Sequence, residues 1–281
     1  MYRILEKEQL NASVFRMVIE APSVARKAEA GQFIILRTDE NGERIPLTVA
    51  DYDRERGSVT VVFSAVGATT IRLSSMSKGE SLQDFVGPLG TPTETEGLSR
   101  VCIVSGGVGA AIAYPVAKKL ASMGCCVHSV VGFRSRELVV LEKEFEAVSD
   151  RFLPCSDDGT WGEKALVTNV LQGLLEAGEK YDRVITIGPL PMMKYVSLVT
   201  KRFSVPTVAS MNPIMIDGTG MCGGCRLTVG GVTKFACVDG PEFDAHLVDF
   251  DEAIARSSTY REFEGHAREQ ACNLFLGEGN V

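Results

Sequence analysis

The stretch VCIVSGGVGAAIAYPVA, residues 101–117, decides the fold class of this chain. It carries no charge and is nearly long enough to span a membrane. Gly106, Gly107 and Gly109 interrupt it, and Pro115 would disturb a spanning helix. We therefore interpret it as a buried strand, a glycine turn and a helix, which is the unit from which parallel α/β sheets are built.

The chain downstream repeats this alternation. The run VHSVVGF predicts a second strand, LVVLEKEFEAV a helix, YDRVITIGP a later strand and LPMMKYVSLVTKRF another helix. Strands that alternate with helices indicate a parallel sheet covered by helices. We assign residues 96–210 to this α/β domain.

The chain upstream has a different pattern. Short runs rich in β-branched and aromatic residues, QFIILRT, IPLTVAD and SVTVVFSAV, lie between turn residues. This pattern predicts an antiparallel β-barrel over residues 1–95. The segment VGPLGTP, residues 86–92, is rich in glycine and proline and marks a candidate domain boundary.

A third, loop-rich module follows, over residues 211–281, and ends in a tail that looks partly helical from Asp251. Within it Cys222 and Cys225 form a C-x2-C pair, Cys237 follows after eleven residues, and Asp217 precedes Cys222 with four residues between. Plant-type [2Fe–2S] ferredoxins use C-x4-C-x2-C…C, and this module has that spacing with a carboxylate first. Glycines between these residues let the backbone wrap closely, so we predict a [2Fe–2S] cluster.

The same residues leave two alternatives open. The thiols could bind structural zinc, with Asp217, His246 or Asp239 as the fourth ligand, or they could bind no metal. The remaining cysteines are scattered along the chain, and we interpret them as small buried apolar residues: Cys102, Cys125, Cys126, Cys155 and Cys272.

The overall charge narrows the class of partner. The 281 residues carry a formal net charge of −7 at pH 7. Nucleic acids and anionic membrane surfaces attract basic proteins, so we expect neither as a partner. The N-terminus, MYRILEKEQL, has charges where an export signal would be apolar, and we therefore expect a cytoplasmic protein.

Glycines at strand ends of the α/β domain are candidates for dinucleotide binding. SGGVGAA, residues 105–111, lies between the first strand and its helix, where glycine lets a pyrophosphate approach the helix N-terminus. GPLPMM, residues 188–193, places another glycine at a strand end, and GFRSRE offers Arg134 and Arg136 to an adenosine phosphate. Each motif is equally compatible with an ordinary turn or with solvated arginines.

Two motifs of the β-domain suit a flat ligand with a pyrophosphate. RIPLTVAD, residues 44–51, would place an extended backbone beside a flat ring. VGATT, residues 66–70, supplies a glycine and two hydroxyls for a pyrophosphate. Read alone, each is also a plain strand edge or turn.

In this order, the motifs resemble those of the ferredoxin–NADP reductase superfamily: RIPLT, VGATT, VGPLGTP, GGVG, GFRS, GPLPMM and the cysteine module. Within it, the chain is similar to the electron-transfer subunits of dihydroorotate dehydrogenase and of sulfide dehydrogenase. The latter is also known as the small subunit of NADH-dependent ferredoxin–NADP oxidoreductase. The resemblance extends to about Phe250. In the dihydroorotate type a cysteine usually stands at the position of Asp217, which favours the second branch.

The resemblance implies three cofactors, namely FAD, a [2Fe–2S] cluster and NAD(H) or NADP(H). It implies that the barrel binds FAD through Arg44, Pro46, Leu47, Thr48, Gly67, Thr69 and Thr70. It implies that the α/β domain binds the nicotinamide dinucleotide through Gly106, Gly107, Gly109 and Arg134. It implies that the third module binds the cluster through Asp217, Cys222, Cys225 and Cys237.

One departure from the superfamily pattern affects the flavin site. Leu47-Thr48 stands where Tyr-Ser is usual, so we expect no tyrosine to stack on the flavin on that side. Thr48 is the candidate catalytic residue, as a hydrogen-bond donor to flavin N5.

The resemblance implies an oxidoreductase subunit that takes a hydride from NAD(P)H at the flavin and passes single electrons through the cluster. The acceptor is a larger partner subunit with a second flavin and further clusters, and ferredoxin is reached through that partner. Two alternatives are the electron-transfer subunit of a dihydroorotate dehydrogenase and a zinc-stabilised nucleotide-binding module without redox activity.

Overall fold

The computed structural model describes residues 2–275. The strands of its N-terminal part are β1 (Tyr2–Gln9), β2 (Val14–Glu20), β3 (Phe33–Arg37), β4 (Ile45–Asp53), β5 (Ser58–Ser64), β6 (Ser81–Leu82) and β7 (Asp84–Leu89). They form one antiparallel sheet in the order β6-β1-β2-β5-β4-β3-β7, and this sheet curls into a barrel. Two short helices accompany it, α1 (Pro22–Ala25) and α2 (Ala68–Ser75).

Strand β5 shows how the barrel is filled. Val59, Val61 and Phe63 alternate along the strand and are buried in the barrel core. Val62 points to the opposite face and packs in a core shared with the second domain. Alternate side chains of β5 therefore pack in two different cores, which explains why this strand is a continuous apolar run in the sequence.

The second sheet begins after a linker that follows β7. Its parallel strands are β8 (Arg100–Gly106), β9 (Cys126–Phe133), β10 (Arg151–Ser156), β11 (Glu163–Lys164), β12 (Arg183–Ile187) and β13 (Thr207–Ser210). In the cysteine module, β14 (Arg226–Val229) and β15 (Val232–Phe235) form a separate two-stranded hairpin, and β16 (Glu242–Asp244) joins the second sheet. The order is β11-β10-β9-β8-β12-β13-β16, with β16 antiparallel at the edge.

Helices cover both faces of this sheet. They are α3 (Gly109–Ser122), α4 (Glu142–Val148), α5 (Val167–Glu176) and α6 (Leu190–Arg202). Side chains of α3 and α4 pack on one face with Val101 and Ile103 of β8, and those of α5 and α6 pack on the other with Cys102 and Val104. Alternate residues of β8 thus serve opposite faces, as in a doubly covered parallel sheet.

The C-terminal helices are α7 (Phe250–Ser257) and α8 (Arg261–Phe275). Helix α7 begins at Asp249, whose carboxylate accepts a hydrogen bond from the Glu252 N–H at 2.9 Å. It packs against α6 and β14, whereas α8 packs against α2 of the barrel. The chain therefore returns to its N-terminal domain after the cysteine module.

The predicted fold class is confirmed, as a barrel, a parallel-type α/β sheet and a cysteine module. Two local interpretations are corrected. The segment VGATT is the start of helix α2, whereas a plain turn was one interpretation of its sequence. The segment LVVLEKEFEAV is helical only from Glu142, and a 3-10 turn over Arg136–Leu138 precedes this helix. The domain limits at residues 95 and 210 stay a prediction, and Met1 and residues 276–281 of the outer domains lie outside the described residues.

The apolar segment at residues 101–117 is a strand followed by a helix, as predicted. Among residues 2–275, no helix is both long and apolar enough to cross a membrane. Of the scattered cysteines, Cys126 is half-buried and four are buried as expected: Cys102, Cys125, Cys155 and Cys272.

Candidate functional site

A cleft of about 400 Å³ opens between the barrel and the α/β domain. The barrel contributes the β4 segment Pro46, Leu47 and Thr48 together with Phe33. The α/β domain contributes the two glycine-bearing strand ends that follow β8 and β12. The volume lies in the range of roughly 300–1,000 Å³ that is typical of small-molecule sites.

Strand pairing brings the barrel wall of the cleft together. Phe33 at the start of β3 lies opposite Thr48 of β4, and Ile35 lies opposite Pro46. Pro46, Leu47 and Thr48 are half-buried, so this strand edge is accessible from the cleft. A flat ring can therefore lie against it, with the Thr48 hydroxyl as a polar group.

The glycines after β8 allow a close approach of two backbones. A Cβ on Gly109 would lie 2.5 Å from the Ile187 carbonyl oxygen, so only glycine fits where α3 begins against β12. Gly107 has a φ of +58°, in the left-handed region that favours glycine. Gly106, Gly107 and Gly109 all line the cleft, and the N-terminus of α3 points its free N–H groups toward it.

The start of α2 is organised by Thr70. Its hydroxyl oxygen accepts hydrogen bonds from the N–H groups of Val66 and Gly67 at 3.1 and 3.0 Å. The same hydroxyl donates to the Gly67 carbonyl at 3.0 Å. Thr70 and Val66 line the cleft, so the first turn of α2 faces the space where a pyrophosphate is predicted.

Four of the residues predicted to bind FAD or the nicotinamide dinucleotide do not line the cleft. Gly67 caps α2, and the buried Thr69 donates to the Glu43 carboxylate at 3.1 Å. Arg44 lies 3.6 Å from the Asp84 carboxylate, and Arg134 is exposed at the end of β9.

The second arginine of GFRSRE has a carboxylate partner. Arg136 donates to Glu142 at 2.9 Å, and the Trp161 indole donates to the same oxygen at 2.7 Å. These two donors hold the pKa of Glu142 below its usual range, with the indole as the larger cause. The charge of Arg136 is therefore balanced by a fixed anion.

The four predicted cluster ligands lie in two pairs. The Cys225 and Cys237 sulfurs are 3.3 Å apart and both residues are buried. The Asp217 carboxylate accepts the N–H of Cys222 at 2.7 Å and that of Thr219 at 2.8 Å. Cys222 is exposed, so one pair faces the interior and the other faces the surface.

The pKa values of Cys237 and Asp217, one residue from each pair, shift in opposite directions. Burial, followed by the neighbouring Cys225, raises the pKa of the Cys237 thiol to about 12. Backbone N–H groups, first that of Thr219, lower the pKa of Asp217. The carboxylate is thus ready to bind a cation, whereas binding at the thiols would release their protons.

The paired arrangement is compatible with a binuclear cluster. Among residues 2–275, no group of three His, Cys, Asp or Glu side chains is arranged to hold one metal ion. A [2Fe–2S] cluster takes four protein ligands, two on each iron. Asp217 with Cys222, and Cys225 with Cys237, provide two such pairs.

The other candidate zinc ligands have their own partners. The His246 ring nitrogen Nε2 lies 3.0 Å from the Thr200 hydroxyl. The Asp239 carboxylate accepts the Phe235 N–H at 2.7 Å and lies 3.9 Å from the Lys234 ammonium.

The cysteine module and the cleft share one wall. Phe33, Met211 and Met215 line the cleft and are buried in the same apolar core as Cys225 and Cys237. The loop that carries Asp217 also touches the barrel, because a Cβ on Gly218 would lie 2.6 Å from the Leu89 side chain. The cleft and the two buried thiols thus share one apolar core.

Apolar side chains surround the exposed thiol. Met221, next to Cys222, is 88% exposed, and Ile216 is 50% exposed. Ile214 and Val238 are exposed in the same module. Such a patch beside a candidate metal site is typical of a protein–protein contact.

A larger cavity of about 750 Å³ lies elsewhere, at the edge formed by β13 and β16. Its lining includes Arg183, Glu242 and His246, and none of the residues predicted for cofactor or cluster binding. Burial raises the pKa of Glu242, which accepts a hydrogen bond from the Thr93 hydroxyl at 2.6 Å. We assign the candidate site to the smaller cleft because the glycine loops and the cysteine core meet there.

The sequence motifs predicted one side of the cleft and missed the other. Phe33, Ser210, Met211, Asn212 and Met215 line it without belonging to any motif. Phe33 opens the run QFIILRT, but nothing in the sequence shows that it pairs with Thr48.

Comparisons with known proteins agree with this site. The family model for the iron–sulfur cluster binding domain of dihydroorotate dehydrogenase B matches residues 212–249, which include the four predicted cluster ligands. The dihydroorotate dehydrogenase B (NAD(+)) electron transfer subunit homolog of Thermotoga maritima is 46% identical over 93% of this chain and 92% of its own. The corresponding subunit of Bacillus pumilus is 31% identical, over 87% and 96%.

A solved structure is similar over almost the whole length. A chain of the NADH-dependent reduced ferredoxin–NADP oxidoreductase, studied for flavin-based electron bifurcation, superimposes with a TM-score of 0.91. It is 43% identical, and the match covers 96% of this chain and 97% of that one.

Proposed function

Since this chain belongs to the family of dihydroorotate dehydrogenase B electron-transfer subunits, we propose that it is a flavin and iron–sulfur oxidoreductase subunit. It passes electrons between NAD(P)H, FAD and a [2Fe–2S] cluster, and on to a larger partner subunit. The ferredoxin–NADP oxidoreductase type is favoured, because that likeness extends over nearly both whole chains. The second candidate is the dihydroorotate dehydrogenase type, which is supported by the match of the cluster-binding family model.

The wall shared by the cleft and the cysteine core carries this proposal. Phe33, Met211 and Met215 line the cleft and belong to the same buried core as Cys225 and Cys237, so a ring in the cleft would lie against the core that contains these thiols. When bound, FAD accepts electrons in pairs from NAD(P)H and releases them singly to the cluster. A zinc-stabilised module would need no such shared wall.

The barrel residues bind and orient the flavin in this proposal. Pro46, Leu47 and Thr48 present a half-buried strand edge to the ring, and the Thr48 hydroxyl donates a hydrogen bond to it. Thr70 keeps the first turn of α2 in shape for the pyrophosphate, next to the capping Gly67. Arg44 and Thr69 act from outside the lining, on the phosphates.

The α/β domain orients the nicotinamide dinucleotide. Gly106, Gly107 and Gly109 leave room for the pyrophosphate at the N-terminus of α3. Arg134 lies exposed at the end of β9, where an adenosine phosphate would be within reach. No residue has to transfer a proton here, because hydride transfer needs only position and orientation.

The two ligand pairs bind the cluster. Cys225 and Cys237, which are buried, would hold one iron, and Asp217 with the exposed Cys222 would hold the other. A carboxylate is a harder ligand than a thiolate, so the iron bound by Asp217 is the more labile of the two. The apolar side chains around Cys222, above all Met221, form the contact with the larger subunit.

The test is anaerobic purification of the chain with its co-expressed large subunit, followed by visible spectroscopy and by assays of flavin, iron, zinc and acid-labile sulfide. We expect bound FAD and about two irons per chain at this cluster. Cys225→Ser should contain about two irons fewer per complex than the wild type and the same amount of FAD. The control Cys126→Ser, a half-buried cysteine of β9, should keep both. A colourless protein that contains zinc would contradict the proposal, and the large subunit that co-purifies decides between the two branches.

A further inference from the structure

We infer that the C-terminal helices form a strap that positions the flavin-binding end of the barrel against the cluster loop, with Ala271 and Cys272 as positioning residues. Helix α8 holds α2, and helix α7 holds the loop between Cys222 and Cys225. The affinity for FAD then depends on a contact between α2 and residues that follow it in sequence by about two hundred positions. This inference rests on the proposed function, because α2 matters only if FAD binds there.

The contact between α8 and α2 is small and apolar. Ile71 of α2 is 2% exposed, and it packs with Ala271 and Cys272 of α8. Ala65 and Ala68 complete the contact from the barrel side. The small side chains allow the two helices to approach closely.

A second contact extends this interface to the end of the described chain. The Arg72 guanidinium lies over the Phe275 ring, 4.7 Å from its centroid. An arginine over an aromatic face is attracted by the negative charge of the ring face. Arg72 also lies 3.5 Å from the Asp39 carboxylate, which ties α2 to the barrel.

Helix α2 needs this support. It has eight residues, fewer than an isolated helix needs to be stable in water. One of its faces packs in the barrel through the fully buried Leu73, and α8 covers Ile71 on another. The first turn, held by Thr70, faces the cleft, so the order of that turn depends on both supports.

Helix α8 has little else to hold it. Among its described residues, Ala271 and Cys272 are the buried ones, and Phe263 and Leu274 are more than 70% exposed. A helix that is exposed around most of its circumference is fixed by its one apolar contact. Breaking that contact should therefore release α8 as a unit.

The other end of the strap touches the cluster loop. The Arg256 guanidinium of α7 donates to the Gly224 carbonyl at 3.3 Å, between two of the cysteines. The Thr228 N–H of β14 donates to the Glu252 carboxylate at 3.1 Å. Both bonds fix α7 to the cysteine module, so α7 and α8 together bridge the cluster loop and α2.

The experiment introduces a charge into the α2–α8 contact. Ala271→Glu would bury an unpaired carboxylate, which is costly enough to detach α8. Gln270→Glu adds the same charge at the adjacent exposed position and is the matched control. Ala271→Ser is the conservative variant and should behave as the wild type.

The readouts are the FAD dissociation constant, the iron content and amide hydrogen exchange in α2, measured on the complex with the large subunit. We expect Ala271→Glu to bind FAD about tenfold more weakly, with unchanged iron and faster exchange in α2 than in β2 and β5. If Ala271→Glu does not fold, Cys272→Ser should show the same direction with a smaller effect.

The outcomes separate the two proposals. Equal FAD affinity in Ala271→Glu and Gln270→Glu would refute the strap and leave the proposed function intact. Loss of iron together with FAD would also refute it, because general instability would then explain the result. A wild-type chain that binds no FAD would refute the proposed function itself.

Discussion

At the scale of single residues, His128 of β9 is unusual because it is a buried histidine that lies next to two polar groups. Its Nε2 lies 3.3 Å from an Arg100 nitrogen, and its Nδ1 lies 2.9 Å from the Tyr181 hydroxyl. Because arginine can only donate, Nε2 accepts and Nδ1 carries the proton. A second proton would place a positive charge against Arg100. Burial, followed by the charge of Arg100, therefore lowers the pKa of His128.

This shift predicts how stability depends on pH. Below pH 6.5 the unfolded chain binds a proton at His128 that the folded chain binds less readily. The free energy of unfolding should therefore fall as the pH drops from 6.5 through the lowered pKa, by at most about 1.4 kcal/mol per pH unit. We expect the difference in stability between wild type and His128→Gln, measured by urea denaturation, to grow from pH 5 to 6.5 and to stay constant above.

The exposed His266 supplies the control. His266→Gln should leave the pH profile of the wild type unchanged. A wild-type profile that runs parallel to that of His128→Gln at every pH would show that His128 does not titrate in this way.

Single residues also show where sequence reasoning succeeds. The candidate cluster ligands could be named from the sequence because Asp217, Cys222, Cys225 and Cys237 are close together in the chain, and their role as ligands stays a prediction. Phe33 was not predictable, because its place in the cleft depends on pairing with Thr48 and on a core that includes Met215. Roles that arise from distant contacts leave no local pattern.

At the scale of elements, the junction between α3 and β12 has no spare room. A Cβ on Gly109 would lie 2.5 Å from the Ile187 carbonyl oxygen and 2.8 Å from the Gly188 Cα. Both are backbone atoms, which cannot move as a flexible side chain could. The glycine loop is therefore needed for packing the helix on the sheet, apart from any role in binding a dinucleotide.

Gly109→Ala should destabilise the protein by about 2 kcal/mol through overpacking. The matched variant is Gly173→Ala in α5, where nothing lies within 4 Å of the new Cβ. It should stabilise the protein by roughly 0.5–1 kcal/mol, since alanine is the better helix former. Chemical denaturation measures both, and NADH-dependent flavin reduction should fall in Gly109→Ala alone. Equal stability of the two variants would contradict the close approach.

Elements with strong periodicity were predictable, and short ones were not. The strands β8 and β12 and the helices α3 and α6 follow from apolar runs and glycine turns. Strand β16 has three residues, EFD, and joins the second sheet only because β13 offers its free edge. Helix α2 was read as a turn because its support comes from α8, at the far end of the chain.

At the scale of the whole molecule, the apolar cores cross the boundaries between domains. Val62 of the barrel shares a core with α3, and Phe33 shares one with the cysteines and with Met193 of α6. The domain limits read from sequence describe chain segments, whereas the packing joins them. The three parts should therefore unfold together rather than one by one.

The surface around the exposed thiol gives a prediction for assembly. Met221 is 88% exposed, so Met221→Glu should leave folding, FAD and iron unchanged. It should weaken binding to the large subunit by tenfold or more, on the order of 2 kcal/mol, because a charge replaces an apolar contact. Surface plasmon resonance or calorimetry with the purified large subunit measures this affinity.

Met123→Glu is the matched control, at a methionine that is 51% exposed beyond the end of α3. It should bind the large subunit as the wild type does. An unchanged affinity for Met221→Glu would place the subunit contact on another surface.

The contact of Gly218 with Leu89 and Ile35 has a consequence for protein engineering. The loop that contains Asp217 packs closely against the barrel, so it cannot be transferred to another protein as an independent module. A chimera that contains this redox module would also need the strands β3 and β7, against which the loop packs. Hybrid electron-transfer chains should accordingly be joined within the partner subunit, so that the barrel and the loop come from the same protein.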